Sequence, residues 1–174
     1  MRFEKRSTMS TILTLKYLKS VLHYDPLTGQ FVCLVDRGRY GNSRKAGSIA
    51  GFILKGKNYK PYAFVKVLGF SYRAHRLAWF YMTGNWPKEQ IDHINLNKSD
   101  NRWINLREAT QKQNSANCPV KRTSKSGIKC VSQRGKKWRV KIGNRWLGTF
   151  STAEEASAAY QKAAKEAFGE FART

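Results

Sequence analysis

The spacing of apolar side chains changes several times along this chain, and each change marks an element. Leu15, Leu18 and Leu22 fall on one face behind Thr14, whose hydroxyl suits an N-cap, so residues 14–23 read as a short helix. Breakers follow at Asp25-Pro26 and Thr28-Gly29, after which Phe31 to Val35 reads as a strand. Residues 36–51 (DRGRYGNSRKAGSIAG) are Gly-rich and basic and read as a loop, one that either touches phosphates or is merely solvated. From 52 to 73 apolar and polar positions alternate weakly around Tyr59, Tyr62, Phe64, Val65 and Val67, which predicts two or three strands. Helical spacing returns from His75 to Met82 and stops near Gly84 and Pro87.

The next stretch predicts a strand at Ile91 to Ile94, a polar loop from Asn95 to Arg102, and a return strand from Trp103 to Glu108. Thr110 then caps a short helix, Gln111 to Asn117. Residues 118–126 (CPVKRTSKS) have the composition of a linker. Beyond it Trp138, Val140 and Ile142 alternate with Arg139 and Lys141, a half-buried strand with Trp138 on the core side. Gly127 to Arg134 reads as the strand before it and Arg145 to Phe150 as the strand after it. Thr152 and Glu155 form a capping box, and Ala156, Ala159, Tyr160, Ala163 and Ala167 share one face of the helix that follows. Such small side chains let a helix lie close on a three-stranded sheet. The fold class is α+β: a β-rich lobe over 1–71, a strand–loop–strand–helix core over 72–118, a basic linker over 119–126 and a sheet–helix module over 127–174.

Charge narrows the partner. Against 33 Lys and Arg stand 11 Asp and Glu, a net +22 over 174 residues. That imbalance costs self-repulsion, so a polyanion is the economical explanation, and nucleic acid fits best. Charge alone would also suit a ribosome-associated or generally adhesive basic protein. The three cysteines, Cys33, Cys118 and Cys130, form no CxxC pair, which argues against a disulfide framework or structural zinc and suits a reducing interior. No apolar run approaches the roughly 18 residues of a membrane span. The stretch MRFEKRSTMSTILTLKYLK lacks the long apolar run and small-residue cleavage site of a signal peptide, and Met9 is an alternative start.

The chemistry centres on Asp92-His93, followed at fixed gaps by Asn105 and Asn114. Asp92 can bind a hard cation, His93 can take a proton from water, and Asn114 can supply a neutral oxygen ligand. Neighbouring strand residues point to opposite faces, so a bulge or turn near Asp92-His93 would help aim both at one phosphate. The pattern DH-x11-N-x8-N, preceded by HRLAW at 75–79 and containing NLREAT at 105–110, resembles the HNH nucleases, specifically the phage and intron-type homing endonucleases of the ββα-metal fold. The resemblance covers about residues 72–118. It implies one divalent ion, Mg²⁺ with Mn²⁺ as substitute, on Asp92 and Asn114. It also implies His93 as general base on an in-line water, and Asn105 as the brace of the loop that holds the His. The products would be a 5′ phosphate and a 3′ hydroxyl. The family often has a metal-binding His where Asn114 stands here, and Asn114 follows its H-N-N variant. His75 and Arg76 match the family's HR, with Arg76 contacting phosphate, bracing the site or simply packing at the helix start. Asp100 is a possible extra ligand, although Asn97 to Asn101 reads equally as a polar turn; His23 is structural.

The stretch from Ser126, with WLGTF and then TAEEA…AY…AA, resembles the DNA-binding domain of plant ethylene-response factors, which also occurs in phage homing endonucleases. It covers about 126–171, and Cys130 stands where that family usually has Gly. The resemblance implies that the polar face of the sheet enters the major groove, with Lys129, Ser132, Arg134, Arg139, Lys141 and Trp146 at the matching positions. Together the two resemblances imply a free-standing phage homing endonuclease, acting as a monomer on double-stranded DNA in the cytoplasm of a phage-infected bacterial host. Two other readings stay open: a nonspecific or defence nuclease with the same chemistry, and a DNA-binding regulator with a decayed catalytic core.

Overall fold

The structure, a computed structural model, describes residues 13–36, 44–53, 62–120 and 124–173. Met9, residues 37–43 of the basic loop, Tyr59 and residues 121–123 of the linker lie outside the described residues. The chain divides into two compact units, Met1–Arg107 and Glu108–Thr174.

The first unit opens with α1 (Leu15–Val21), capped as expected by the Thr14 hydroxyl, which accepts from the Tyr17 N–H at 3.2 Å. Strands β1 (Leu22–Asp25) and β2 (Gln30–Cys33) form an antiparallel hairpin with Leu22 opposite Cys33 and Asp25 opposite Gln30. Asp25 fixes its turn, accepting from the Leu27 N–H at 2.9 Å and the Thr28 hydroxyl at 2.8 Å. The second strand stops at Cys33, short of the expected Val35, and Leu34 and Val35 are exposed. Strands β3 (Phe52–Ile53), β4 (Ala63–Val67) and β5 (Phe70–Arg73) form an antiparallel sheet in that order. Leu68 and Gly69 join the last two with φ of 51° and 83°, the pair of positive values that a tight primed hairpin turn requires. Helix α2 (Ala74–Thr83) follows at once and is closed by Gly84 in the left-handed conformation.

One core joins these elements. Leu18, Leu22, Tyr24, Phe31, Val65, Val67, Leu77, Ile91 and Leu106 are all buried in it. The lobe expected over 1–71 therefore shares a core with the helix and strand that follow it. Each large apolar side chain buried this way contributes about 1.5–3 kcal/mol. The product is a rigid frame behind β6 (Gln90–His93), which pairs with β7 (Leu106–Ala109). The return strand begins at Leu106 and not at Trp103, because Trp103–Asn105 wind into a 3-10 turn. The Trp103 N–H is taken by the Pro26 carbonyl at 2.9 Å and cannot serve a ladder.

In the second unit α3 (Gln111–Asn117) carries a full capping box. The Thr110 hydroxyl accepts from the Gln113 N–H at 3.3 Å, and the Gln113 side chain accepts from the Thr110 N–H at 2.9 Å. Strands β8 (Val131–Arg134), β9 (Lys137–Ile142) and β10 (Arg145–Phe150) form an antiparallel sheet with β9 central. Helix α4 (Ala153–Phe168) packs on it, and the fold class is the expected α+β. Val131, Val140 and Ile142 meet Ala156, Tyr160, Ala163 and Ala164, with Trp138 half-buried beside them. Two details differ from the pattern read along the chain. The first strand starts at Val131, since Cys130 adopts a positive φ of 59°. Ala164 is buried where Ala167 is exposed, because the 3.6-residue period carries the apolar stripe from Tyr160 to Ala164. Among the described residues no helix is long and apolar enough to cross a membrane.

Candidate active site and nucleic-acid face

Strand β6 ends at His93, and a turn follows immediately, with the Leu96 N–H donating to the His93 carbonyl at 2.9 Å. Ile91, Asp92 and His93 are all buried. The two polar side chains take separate partners. Arg107 on β7 places Nε and Nη2 each 3.0 Å from Asp92 Oδ2. His93 Nε2 lies 3.2 Å from Asn101 Oδ1. Burial holds the His93 pKa below its ordinary value, partly opposed by the Asn101 hydrogen bond and the Asp92 charge. The ring is therefore neutral near pH 7, the state a proton acceptor needs.

His75 sits edge-on to His93 with ring centroids 5.0 Å apart, and Tyr62 flanks both rings. Burial, helped by His93 and nearby cations, pushes the His75 pKa down to about 3. Its Nδ1 is buried with no hydrogen-bond partner. Lys98 and Arg73 lie over the Tyr62 ring at 5.1 and 5.0 Å, which brings positive charge to the same place.

Asn105 spans the loop after β6. Its Nδ2 donates to the Asp100 carbonyl at 2.7 Å, and its Oδ1 accepts from the Asn95 N–H at 2.9 Å. That geometry is a loop brace. Asp100 pairs with Arg102 at 2.6 Å and accepts from Asn95 at 2.7 Å, which lowers its pKa to about 2. Its carboxylate is thus engaged within the loop, whereas the sequence left it open as an extra ligand. Arg76 donates to the Glu89 and Pro87 carbonyls at 3.1 and 3.2 Å, so it braces the segment that leads into β6. Asp92, His93 and Asn105 come together in the first unit; Asn114, half-buried on α3, belongs to the second. Sequence reasoning missed Asn101 and Arg107 as partners of the key pair. Arg107 stood inside the quoted NLREAT, and the strand period alone could have put it across from β6.

In the second unit the strand register collects the expected polar positions on one face. Ser132 pairs with Arg139, Arg134 with Lys137, and Lys141 with Trp146. A register shift between Trp146 and Gly148 lets Thr149 also fall opposite Arg139. The Arg139 guanidinium stacks over the half-exposed Trp146 ring at 5.1 Å. Lys137 and Thr149 join this face without having been foreseen. Lys129 departs from the expectation. Its Nζ donates to the Ala116 carbonyl and, at 2.6 Å, to the Cys118 carbonyl, so it caps the end of α3.

Residues 72–116 match the family model described as HNH endonuclease. A curated relative from Acanthamoeba polyphaga mimivirus, named as an uncharacterized HNH endonuclease, is 42% identical over 102 residues. The match covers 56% of this chain and 54% of the relative, so the chain spans about half the length of the relative it matches. No solved structure gives a significant match. The stretch that matches holds Asp92, His93, Asn105 and Asn114.

Proposed function

We propose that this chain is a metal-dependent endonuclease that hydrolyses phosphodiester bonds of double-stranded DNA at a selected site. The observation that carries it is His93: a buried imidazole at the end of β6, beside Asp92 and inside the segment that matches the HNH family. His93 takes the proton of an attacking water, Asn105 holds the loop around it, and Lys98 offers positive charge to the phosphate.

The donor set fits a hard divalent ion. Asp92 offers a carboxylate and Asn114 an amide oxygen, ligands that suit Mg²⁺ or Mn²⁺. Among the described residues no three His, Cys, Asp or Glu side chains cluster as a metal site. Such an ion, when bound, supplies charge stabilisation to the phosphate and to the departing 3′ oxygen. Arg107 already holds one Asp92 oxygen, so Asp92 would hold such an ion in competition with this ion pair.

The second unit supplies the address in this reading. Ser132, Arg134, Arg139, Lys141 and Trp146 enter the major groove, Arg and Lys on phosphates or guanine edges and Trp146 on sugar or thymine methyl. A small catalytic site reads little sequence, and a tethered reader raises its effective concentration at one address. A phage-type homing role, monomeric action and a phage-infected host cell belong to the same proposal.

The test is incubation of the protein with phage genomic DNA, with Mg²⁺ or EDTA, beside Asp92→Ala and His93→Ala, mapping ends on both strands. Discrete, metal-dependent ends lost in both variants are expected. Many ends on random sequence would make it a nonspecific nuclease. Binding without cleavage in any divalent metal would leave the DNA-binding regulator.

A further inference from the structure

The β1–β2 hairpin carries none of the residues assigned to chemistry, yet it is fastened at three points to the loop beside His93. The Tyr24 hydroxyl donates to the Asn101 carbonyl at 2.6 Å. The Pro26 carbonyl accepts from the Trp103 N–H at 2.9 Å. Gly29 packs so closely that a Cβ there would lie 2.4 Å from both the Asn101 carbonyl carbon and the Arg102 nitrogen. Its φ of 73° also disfavours any other residue.

The hairpin itself has little freedom. Tyr24 is 1% exposed and its ring packs on Phe31 and Tyr81 at centroid distances of 4.9 and 5.8 Å. Burial raises the pKa of its hydroxyl, which therefore remains a donor throughout the working pH range. The clamped loop then delivers the Asn101 side chain to the base. Asn101 Nδ2 donates to the Ser99 carbonyl at 3.4 Å, so the amide is oriented with Oδ1 toward His93. An amide oxygen only accepts, so His93 Nε2 carries the hydrogen. In a neutral imidazole the other nitrogen, Nδ1, then holds the lone pair that takes a proton.

We propose that the β1–β2 hairpin is a positioning element for the reaction: Tyr24 and Gly29 set the Asn101 loop, and Asn101 sets the tautomer and ring orientation of His93. This rests on the reading of His93 as general base. It gives the N-terminal lobe a task in the chemistry besides its share of the core, and it makes Asn101, Tyr24 and Gly29 positioning residues.

The test combines ¹⁵N NMR of the histidine rings in the full chain with cleavage kinetics of four variants. Wild-type His93 is expected as the Nε2–H tautomer; an Nδ1–H tautomer overturns the inference and needs no variant to show it. Asn101→Leu is expected to lower kcat about 100-fold, the low end of what a positioned base contributes, with KM changed less than about threefold and a mixed tautomer in the spectrum. Asn101→Asp keeps an acceptor at the same place and should retain kcat within about tenfold. Tyr24→Phe should lose about tenfold in kcat with a shifted His93 signal. Wild-type kcat and spectra in both Asn101→Leu and Tyr24→Phe would sink the proposal. His93→Ala separates the two readings. If His93→Ala cleaves normally, the general-base reading falls; if it is inactive while Asn101→Leu cleaves normally, only the hairpin's role falls.

Discussion

The two units hold their candidate functional side chains in opposite ways. Around β6 they are buried, and each is fixed by a named partner: Asp92 by Arg107, His93 by Asn101, Asn105 by both ends of its own loop. On the β8–β9–β10 sheet Ser132, Arg134, Lys141 and Trp146 are exposed and aligned by strand parity and register, with Trp146 also stacked against Arg139. Under the proposed function the difference has a reason. Proton transfer requires one ring nitrogen aimed within a fraction of an ångström, and only a packed hydrogen-bonded surround supplies that. Grasping a phosphate backbone requires a row of solvated cations at roughly the right spacing, which a twisted strand provides unaided. If this contrast is right, damage to the first unit should appear as lost stability or lost turnover, and damage to the second as lost affinity.

The sharpest break would come at Arg107. Its guanidinium and the Asp92 carboxylate are both nearly inaccessible, with 12% and 4% of each side chain exposed. Arg107→Leu leaves the carboxylate buried without this cation, which should cost about 3–5 kcal/mol. Urea unfolding of the full chain, followed by tryptophan fluorescence against a Trp138→Phe, Trp146→Phe background that leaves Trp79, Trp86 and Trp103 as reporters, reads this directly. Added Mg²⁺ should recover part of the loss in the variant and stabilise wild type less, since Arg107 no longer competes for Asp92. A loss under about 1 kcal/mol would mean that the pair behaves as a surface ion pair and the contrast is overstated.

Next in size is an acid response confined to the first unit. His75 has its pKa depressed to about 3, against an ordinary value of 6.5. Between those values the unfolded chain binds the proton and the folded one does not, so stability rises with pH. The contribution is complete above pH 6.5 and drains away as pH falls toward about 3. At pH 5 the loss is about 2 kcal/mol. His75→Phe keeps the ring and removes the titration, so its stability profile over this range should be flatter than that of wild type. An identical slope in wild type and variant would show that the burial of His75 does not govern it.

The second unit should answer differently. Arg139→Ala removes a cation and its stacking on Trp146, which should weaken DNA binding about tenfold and lower the salt slope by about 1. Unfolding of this unit should move by less than about 0.5 kcal/mol, as at other solvated positions. A Lys129→Ala change serves as the contrast, since its ammonium holds the Ala116 and Cys118 carbonyls: it should loosen α3 before it weakens binding. Fluorescence anisotropy over a salt series and thermal melts of the same proteins would show whether the two residues separate in this way.

What the sequence disclosed follows the same division. Parity on the β8–β9–β10 sheet, the caps at Thr14, Thr110 and Thr152, and the helix at Gln111–Asn117 are local patterns of a few residues, and all are present. The Asp92-His93 motif was equally legible, because its spacing is carried within one short stretch. The partners of that motif were not. Asn101 looked like one more polar residue of a turn, and its role appears only once Tyr24 and Gly29 arrive from more than seventy residues away in the chain. For Arg76 the sequence offers both a phosphate contact and a brace, and its hydrogen bonds to the Glu89 and Pro87 carbonyls are those of a brace; for Lys129 no local pattern exposes the Ala116 and Cys118 carbonyls that its ammonium holds.

The smallest effect tests a departure visible from the start. Cys130 stands where the ethylene-response-factor resemblance has Gly, and its φ is 59°, in the left-handed region where a side chain is strained. Cys130→Gly relieves that strain but gives the unfolded chain more freedom, so the net gain should be about 0.5–1 kcal/mol. Cys130→Ala is the necessary control. It removes the sulfur, including its contact with the Tyr160 hydroxyl, while keeping the Cβ, and so should gain nothing. Stabilisation by Gly alone would trace the effect to the backbone. Equal stabilisation by both would trace it to the thiol, and the turn before Val131 would then impose no demand of its own on the residue that occupies it.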